Sequence, residues 1–337
     1  MKRILAILMT LCLLLTGCAL QQPAPEAPAP EAPAETPAAP EEPASQPEAP
    51  APQPEEKPQT CSLQLALEDY PRMDGSTANL PLMAAVLSAV TGLDPAEAEE
   101  TVGCSTTPAA WLNLAAGSTD ILLVYEAAED TKASLADMGT ELEITPIGLD
   151  ALVFIVNEQN PVQSVTQEQL RQIYTGQITS WAELGGEELD ITAFQRDATS
   201  GSQSLFRKLL MPDQEPMEAP TEFMPSAMGE LIEGLAAYNN EGSALGYSVF
   251  YYASYMYAKP GLRFLAVDGV APSDETIADQ TYPLLNPFYV VIRADELADS
   301  PARLLRDWLL TEEGVQVLTD AGYIPAASQL CGYPTAE

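Results

Sequence analysis

Hydrophobic and polar positions change period several times along the chain, and each change marks an element. Apolar and polar residues alternate over 62–67, which predicts a short strand, and 69–77 follows as a polar turn. Residues 80–90 carry apolar side chains at helical spacing. A strand end at Thr101-Val102-Gly103-Cys104 leads into a helix over 108–116. Thr107 is its expected N-cap, with Pro108 in the first turn, where a missing N–H costs nothing. Apolar runs predict strands over 120–125, 144–147, 151–157, 191–195, 245–249, 264–267 and 287–293. Helices are predicted over 167–174, 202–210 and 228–238, and one long amphipathic helix over 301–321. That last helix turns Leu304, Leu305, Trp308, Leu309, Val315 and Leu318 toward the core. Strands alternating with helices indicate an α/β architecture. No internal repeat of the whole unit is present.

Two segments precede this domain. Met1-Lys2-Arg3 is basic and residues 4–15 are almost entirely apolar, the outline of a secretory signal. The apolar run is short of the roughly 20 residues that span a bilayer. It ends in Leu15-Thr16-Gly17-Cys18, which resembles a bacterial lipobox. That resemblance implies removal of residues 1–17 and lipidation of Cys18, so that acyl chains (diacylglycerol, palmitate) hold the chain at the extracytoplasmic face of the cell membrane. Residues 18–60 are then the lipidated Cys and a linker. Residues 21–60 contain 13 prolines and 8 glutamates against one lysine, Lys57. Such a composition cannot offset ordering entropy. An extended Pro-rich chain rises about 3.1 Å per residue, so the linker is expected to reach on the order of 100 Å from the membrane.

Charge and composition narrow the function. The chain has 14 basic and 49 acidic residues and no histidine, for a formal net charge of −35. From Cys61 onward it has 11 basic against 41 acidic residues, −30, so the linker is not the source. That balance opposes nucleic-acid binding, which needs cations to neutralise phosphates. Without histidine there is no Ser-His or Cys-His catalytic pair, no HExxH zinc site and no imidazole switch. An enzyme is therefore not expected: Ser200 and Ser202 lack an activating base, and Lys208 falls on another helix face. Of five cysteines, Cys12 lies in the signal and Cys18 carries lipid, which leaves Cys61, Cys104 and Cys331. No CxxC or other metal-ligand spacing exists, and no metal or cofactor is expected. Cys61 and Cys331 bracket the folded segment; a disulfide between them and two free thiols both stay open, because geometry decides.

One local pattern recurs three times: a strand closes in a Ser/Thr/Gly turn that opens a helix. It occurs at Gly75-Ser76-Thr77, at Ser105-Thr106-Thr107 and at Ser200-Gly201-Ser202. Helix starts present unpaired N–H groups and partial positive charge, hydroxyls add donors, and glycine lets backbone approach a ligand. Arg196, four residues before Ser200, brings a planar fork suited to oxyanions, unless it pairs with Asp197 or another carboxylate. Three such turns with one arginine favour an oxyanion site. The aromatic cluster at Phe250, Tyr251, Tyr252, Tyr255 and Tyr257 reads as packing, with a sugar-binding platform as a lesser option.

These motifs, in their order, resemble the PstS-like phosphate-binding proteins that serve ABC transporters. The matching runs are Asp74-Gly75-Ser76-Thr77, Phe154 to Val162, Gln169 to Trp181 and Gln195-Arg196 with Ser200-Gly201-Ser202-Gln203. Leu245-Gly246-Tyr247-Ser248, Tyr282-Pro283-Leu284 and Glu313-Gly314 with Gly322-Tyr323-Ile324-Pro325 complete the set. The resemblance implies a two-lobed periplasmic-binding-protein-like (type II) fold with a hinge and an interlobe cleft. Lobe one is expected over 61–150 and 286–337, and lobe two over 151–285. Phosphate or a similar oxyanion would be held by Ser76, Thr77, Ser105, Thr106, Arg196, Ser200, Gly201 and Ser202. Well-studied members place an Asp after the strand at 120–124, to accept the proton of HPO₄²⁻; here Tyr125-Glu126 stands there, with Glu126 the expected substitute. The resemblance further implies a monomer that delivers its ligand to the permease subunits of an ABC importer. The alternative is the same fold used as a non-transport sensor or surface-interaction lipoprotein.

Overall fold

The computed structural model describes residues 61–198, 200–219, 228–237 and 242–326. The signal segment, Cys18, the linker and Cys331 lie outside the described residues, and so does any pairing of Cys331 with Cys61.

In chain order the elements begin with β1 (Met73–Gly75), α1 (Leu80–Thr91), α2 (Pro95–Thr101), α3 (Thr107–Ala115), β2 (Ile121–Tyr125) and α4 (Glu129–Met138). Then come β3 (Leu142–Asn157), β4 (Ser164–Val165), α5 (Gln167–Tyr174), β5 (Thr192–Ala193), α6 (Gly201–Leu210) and α7 (Met228–Ala237). The rest are β6 (Ala244–Val249), β7 (Leu262–Phe264), β8 (Ala266–Val267), α8 (Asp274–Ala278), β9 (Leu285–Arg293), α9 (Pro301–Leu309), α10 (Glu312–Asp320) and β10 (Ile324–Pro325).

The main sheet has the order β1-β2-β9-β3-β6-β5, with β10 and β7 also pairing with β3. The outer pairs β1–β2 and β6–β5 are parallel, and the central ones are antiparallel. The apolar runs at 144–147 and 151–157 belong to one strand, the sixteen-residue β3. Its first ten residues pair with β9, and from Leu152 to Val156 it pairs with β6 instead. A bulge between Pro146 and Gly148 lets the strand bend. At Gly148 an added Cβ would lie 2.1 Å from the Phe288 ring, so only glycine admits that close crossing. Strand β3 is thus the backbone that joins the two halves of the molecule.

The helices follow local grammar where caps are strong. Asp94 accepts from Ala96 N ahead of Pro95, and Thr166 with Gln169 forms a capping box on α5. Helix α2 replaces part of the expected strand end at 101–104. The polar helix α4 was outside the expected pattern because it buries only Thr131. The expected strand at 62–67 is absent: Leu65 N bonds Val90 O, but the segment joins no strand. The single helix expected over 301–321 is two. Thr311 caps α10 by accepting from Gly314 N, and Gly314 packs so tightly that a Cβ would lie 2.4 Å from Trp308 O. No described helix is long and apolar enough to cross a membrane.

The core against β3 and β6 is aromatic. Phe206 stacks on Tyr247 at 4.6 Å between centroids, and Tyr174 meets Phe206 edge-on at 4.6 Å. This cluster seats α6, whose first turn carries Ser200-Gly201-Ser202.

Candidate anion-binding site

Three loops meet at the end of β1 and β2. Strand β1 runs so close to β2 that a Cβ at Gly75 would lie 2.0 Å from Leu123 O; only glycine fits. That approach places Ser76 N on Leu123 O at 3.1 Å and turns the buried Ser76 hydroxyl inward. Ser76 Oγ accepts from Tyr125 N at 3.1 Å and shares a 2.7 Å hydrogen bond with Thr107 Oγ1. The buried Asp74 carboxylate binds the loops together. It accepts from Gly75 N (2.8 Å), Ser105 N (2.7 Å), Ser105 Oγ (2.7 Å) and Asn113 Nδ2 (3.0 Å).

The third turn comes from the other side. Ser200 Oγ accepts from Gln203 N at 3.2 Å and so caps α6. The N–H groups of Gly201 and Ser202 are first-turn groups with no intrahelical partner. The N-termini of α3 and α6 nearly touch: a Cβ on Gly201 would lie 2.8 Å from Thr107 Oγ1. Arg196 is 6 % exposed. The aromatic core holds its backbone, whose N–H donates to Tyr247 Oη (3.0 Å) and Gln203 Oε1 (3.3 Å). Its guanidinium Nη1 donates to the buried Ser202 Oγ at 3.3 Å. Burial lowers the Arg196 pKa, opposed by Tyr247, Tyr252, Glu230 and Asp197, and the group stays a cation. Ser76, Thr107, Arg196, Ser202 and two helix N-termini therefore converge on one buried, donor-rich point, the arrangement that replaces the hydration shell of an oxyanion.

Two acidic groups are tied to Tyr125, whose N–H reaches Ser76: Asp150 through the phenol and Glu126 as the next residue in the chain. Tyr125 Oη donates to Asp150 Oδ2 at 2.6 Å, while Asp150 Oδ1 accepts from Ala151 N (2.7 Å) and Tyr251 N (3.1 Å). Burial raises the Asp150 carboxyl to about 6 against those donors. Glu126 accepts from Lys132 Nζ at 2.6 Å and from Lys208 Nζ, which reaches it from α6. Burial works to raise its pKa, and the two ammonium groups outweigh it and hold the carboxyl below the ordinary range. Among the described residues, no group of three or more Cys, Asp or Glu is placed to hold a metal ion.

A family model described as the PBP superfamily domain matches residues 45–312. The chain belongs to the PBP superfamily. Within it the chain is PstS-like: it is 27% identical over 258 residues to the phosphate-binding protein PstS of Bacillus subtilis, covering 75% of this chain and 79% of that one. Its fold is that of a candidate phosphate ABC transporter substrate-binding protein of Clostridium perfringens, solved with phosphate bound. The TM-score is 0.58 at 23% identity, over 75% of this chain and 98% of that one. An ABC-type phosphate transport receptor of Vibrio cholerae matches with a TM-score of 0.55 at 24% identity, over 75% and 98%. The architecture is thus the two-lobed α/β fold of periplasmic binding proteins.

Within this PBP fold the expected site residues divide. Ser76, Arg196, Ser200, Gly201 and Ser202 are brought together. Thr77 lies one residue beyond, where its Oγ1 accepts from Cys104 Sγ at 3.7 Å. Ser105 is exposed and both of its donors go to Asp74. The cap of α3 moves from Thr107 to the exposed Thr106, which makes no side-chain cap bond. Thr107 becomes the inward hydroxyl of the second turn. Its signal was present in the run Ser105-Thr106-Thr107, where the sequence does not say which of three consecutive hydroxyls turns inward.

Proposed function

We propose that this chain captures phosphate, or a closely similar tetrahedral oxyanion, between its two lobes and delivers it to an ABC permease. Lobe one is 61–150 with 286–337 and lobe two is 151–285; Cys18 bears the lipid that tethers both, through the linker, to the membrane. The observation that carries this reading is the meeting of the α3 and α6 N-termini around buried Arg196, Ser76, Thr107 and Ser202. The phosphate-binding and phosphate-transport descriptions of the relatives support the same ligand class. Contact with the ligand goes to Ser76, Thr107, Arg196, Gly201 and Ser202, with Thr77 and Thr106 at the margin. Ser105 and Asp74 shape the loops, and Ser200 caps α6.

Capture works by hinge closure about the β3 crossing, which exchanges water around the anion for fixed donors. With a net charge of −30 beyond Cys61, long-range steering opposes an anionic ligand, so affinity comes from short-range donors in a dry site. Calorimetric titration of the purified protein with phosphate and sulfate tests this: saturable phosphate binding is expected, and its absence overturns the proposal.

Glu126 acts here as an ion-pair partner across the cleft and not as the acceptor of a ligand proton. Lys132 and Lys208 are both substantially exposed, and such pairs contribute about 0–1 kcal/mol. Glu126→Gln is therefore expected to weaken phosphate and sulfate binding by the same small factor, at most about fivefold. A selective loss of phosphate over sulfate would return the acceptor role to Glu126.

A further inference from the structure

Asp150 is 2 % exposed and sits on β3 just ahead of Leu152, where the strand exchanges β9 for β6. Its donors come from both sides of that crossing. Tyr125 Oη donates to Oδ2 at 2.6 Å from the end of β2, and Tyr251 N donates to Oδ1 at 3.1 Å from the segment after β6. Both donors lead back to the first anion turn. Tyr125 N donates to Ser76 Oγ at 3.1 Å. The Tyr251 ring stacks on Tyr323 at 3.7 Å between centroids, and Tyr323 Oη donates at 2.6 Å to the carbonyl of Ala78, which follows Ser76 and Thr77. Ser76, Tyr125, Asp150, Tyr251, Tyr323 and Ala78 thus close a circuit. It ties the turn that carries Ser76 to the strand that joins the two halves of the molecule.

Within this circuit Asp150 is the member whose charge changes near neutral pH. Burial raises its carboxyl to about 6. The titratable groups that face it are phenols: Tyr125 on β2, Tyr251 after β6 and Tyr323 before β10, and burial pushes all three up. Strand β9 sets the uncharged Asn286 opposite it. Among the described residues no lysine or arginine forms an ion pair with it. An oxyanion held at Ser76 adds negative charge at the other end of Tyr125, and a like charge favours the neutral form of a carboxyl group. Linkage is reciprocal, so the neutral carboxyl favours the anion by the same factor.

The geometry points to Asp150 as a positioning residue of the anion site, one that couples capture of the oxyanion to uptake of a proton at the β3 crossing. It acts through Tyr125 and Tyr323 and takes its proton from the buffer. This rests on the oxyanion reading above and adds its regulation. The test is calorimetry of the full chain with phosphate at pH 5, 6 and 7.5, in buffers of different ionisation enthalpy, for the wild type, Asp150→Asn and Tyr125→Phe. The ligand's own titration is common to all three proteins. Asparagine stands in for the neutral carboxyl at every pH. The ratio of wild-type to Asp150→Asn affinity is therefore expected to rise about fivefold from pH 7.5 to pH 5, with more protons taken up per phosphate by the wild type at pH 6. A purely structural role would change the affinity of Asp150→Asn by one factor at every pH. Tyr125→Phe deletes the phenol donor that lowers the Asp150 carboxyl and keeps the N–H on Ser76, so its proton uptake should move to higher pH. Saturable phosphate binding with a pH-independent ratio and equal proton uptake overturns the coupling and leaves the oxyanion reading standing. Absence of phosphate binding by the wild type overturns both. Where Asp150→Asn does not fold, Tyr125→Phe decides: proton uptake unmoved in pH overturns the coupling.

Discussion

Replacing Arg196 by Ala weakens oxyanion affinity by about 30-fold to several thousandfold, the equivalent of the roughly 2–5 kcal/mol lost when one partner of a buried charge pair is truncated. The expectation rests on position. Arg196 is the cation buried at the meeting point of α3 and α6, and its fork reaches Ser202 Oγ in the first turn of α6. The backbone that carries it is held by Tyr247 and Gln203 through its own N–H, so removing the side chain leaves the loop anchored. Arg196→Lys should fall between wild type and Ala, because an ammonium keeps the charge and loses the planar fork. Calorimetry with phosphate reads both variants, and circular dichroism melts confirm that they remain folded. An unchanged dissociation constant in Arg196→Ala would remove this residue from the site.

Much of this site is local in sequence, which is why it could be read there. Ser200-Gly201-Ser202 is a cap followed by a helix, and the cap chemistry needs no knowledge of the rest of the fold. The strands were legible as apolar runs, and the fact that two of them fuse into β3 was not. The bend at Gly148 depends on Phe288, 140 positions away. Thr107 is the first residue of α3 and not its cap, for a similar reason. Its inward direction is fixed by Ser76 and Gly201, neither of which is its neighbour in sequence. Glu126 presents the sharpest case. From sequence it was an acidic residue at a strand end, suited to accepting a ligand proton. Its partner Lys208 lies 82 positions on, and only the packing of α6 against the loop after β2 brings the two together. Helix α4 escaped because hydrophobic periodicity sees only helices that bury a stripe, and this one buries Thr131 alone.

The large negative charge and the buried site describe one design. Two carboxylates beside the cleft, Asp74 and Glu126, are not left to repel the ligand: a loop amide and hydroxyl occupy the first and two lysines the second, and the ligand meets donors. Selectivity then depends on which proton-bearing or substituted oxyanion leaves none of those donors unmatched.

Asp150→Asn should remove a pH-dependent part of the stability of the folded domain. Asp150 sits on β3 one residue before the strand exchanges β9 for β6, and it links Tyr125 to Tyr251 across that crossing. Burial raises its carboxyl from the ordinary 3.8 to about 6. Since the folded value lies above the unfolded one, folding takes up a proton in that window. Asp150's contribution is thus fully present below about pH 4 and is lost as pH rises through about 6. A shift of this size corresponds to about 3 kcal/mol in total, of which roughly 2 kcal/mol falls between pH 7.5 and 4.5. An asparagine keeps an oxygen for Ala151 N and Tyr251 N and has no charge to desolvate. Urea unfolding of wild type and variant at pH 4.5 and 7.5 separates this term from the general relief of charge repulsion, which both proteins share. The wild type should gain roughly 2 kcal/mol more than Asp150→Asn on acidification. Equal gains would mean that the carboxylate is as comfortable in the fold as in water, and that the Tyr125–Asp150–Tyr251 link carries no titratable strain across the β3 crossing.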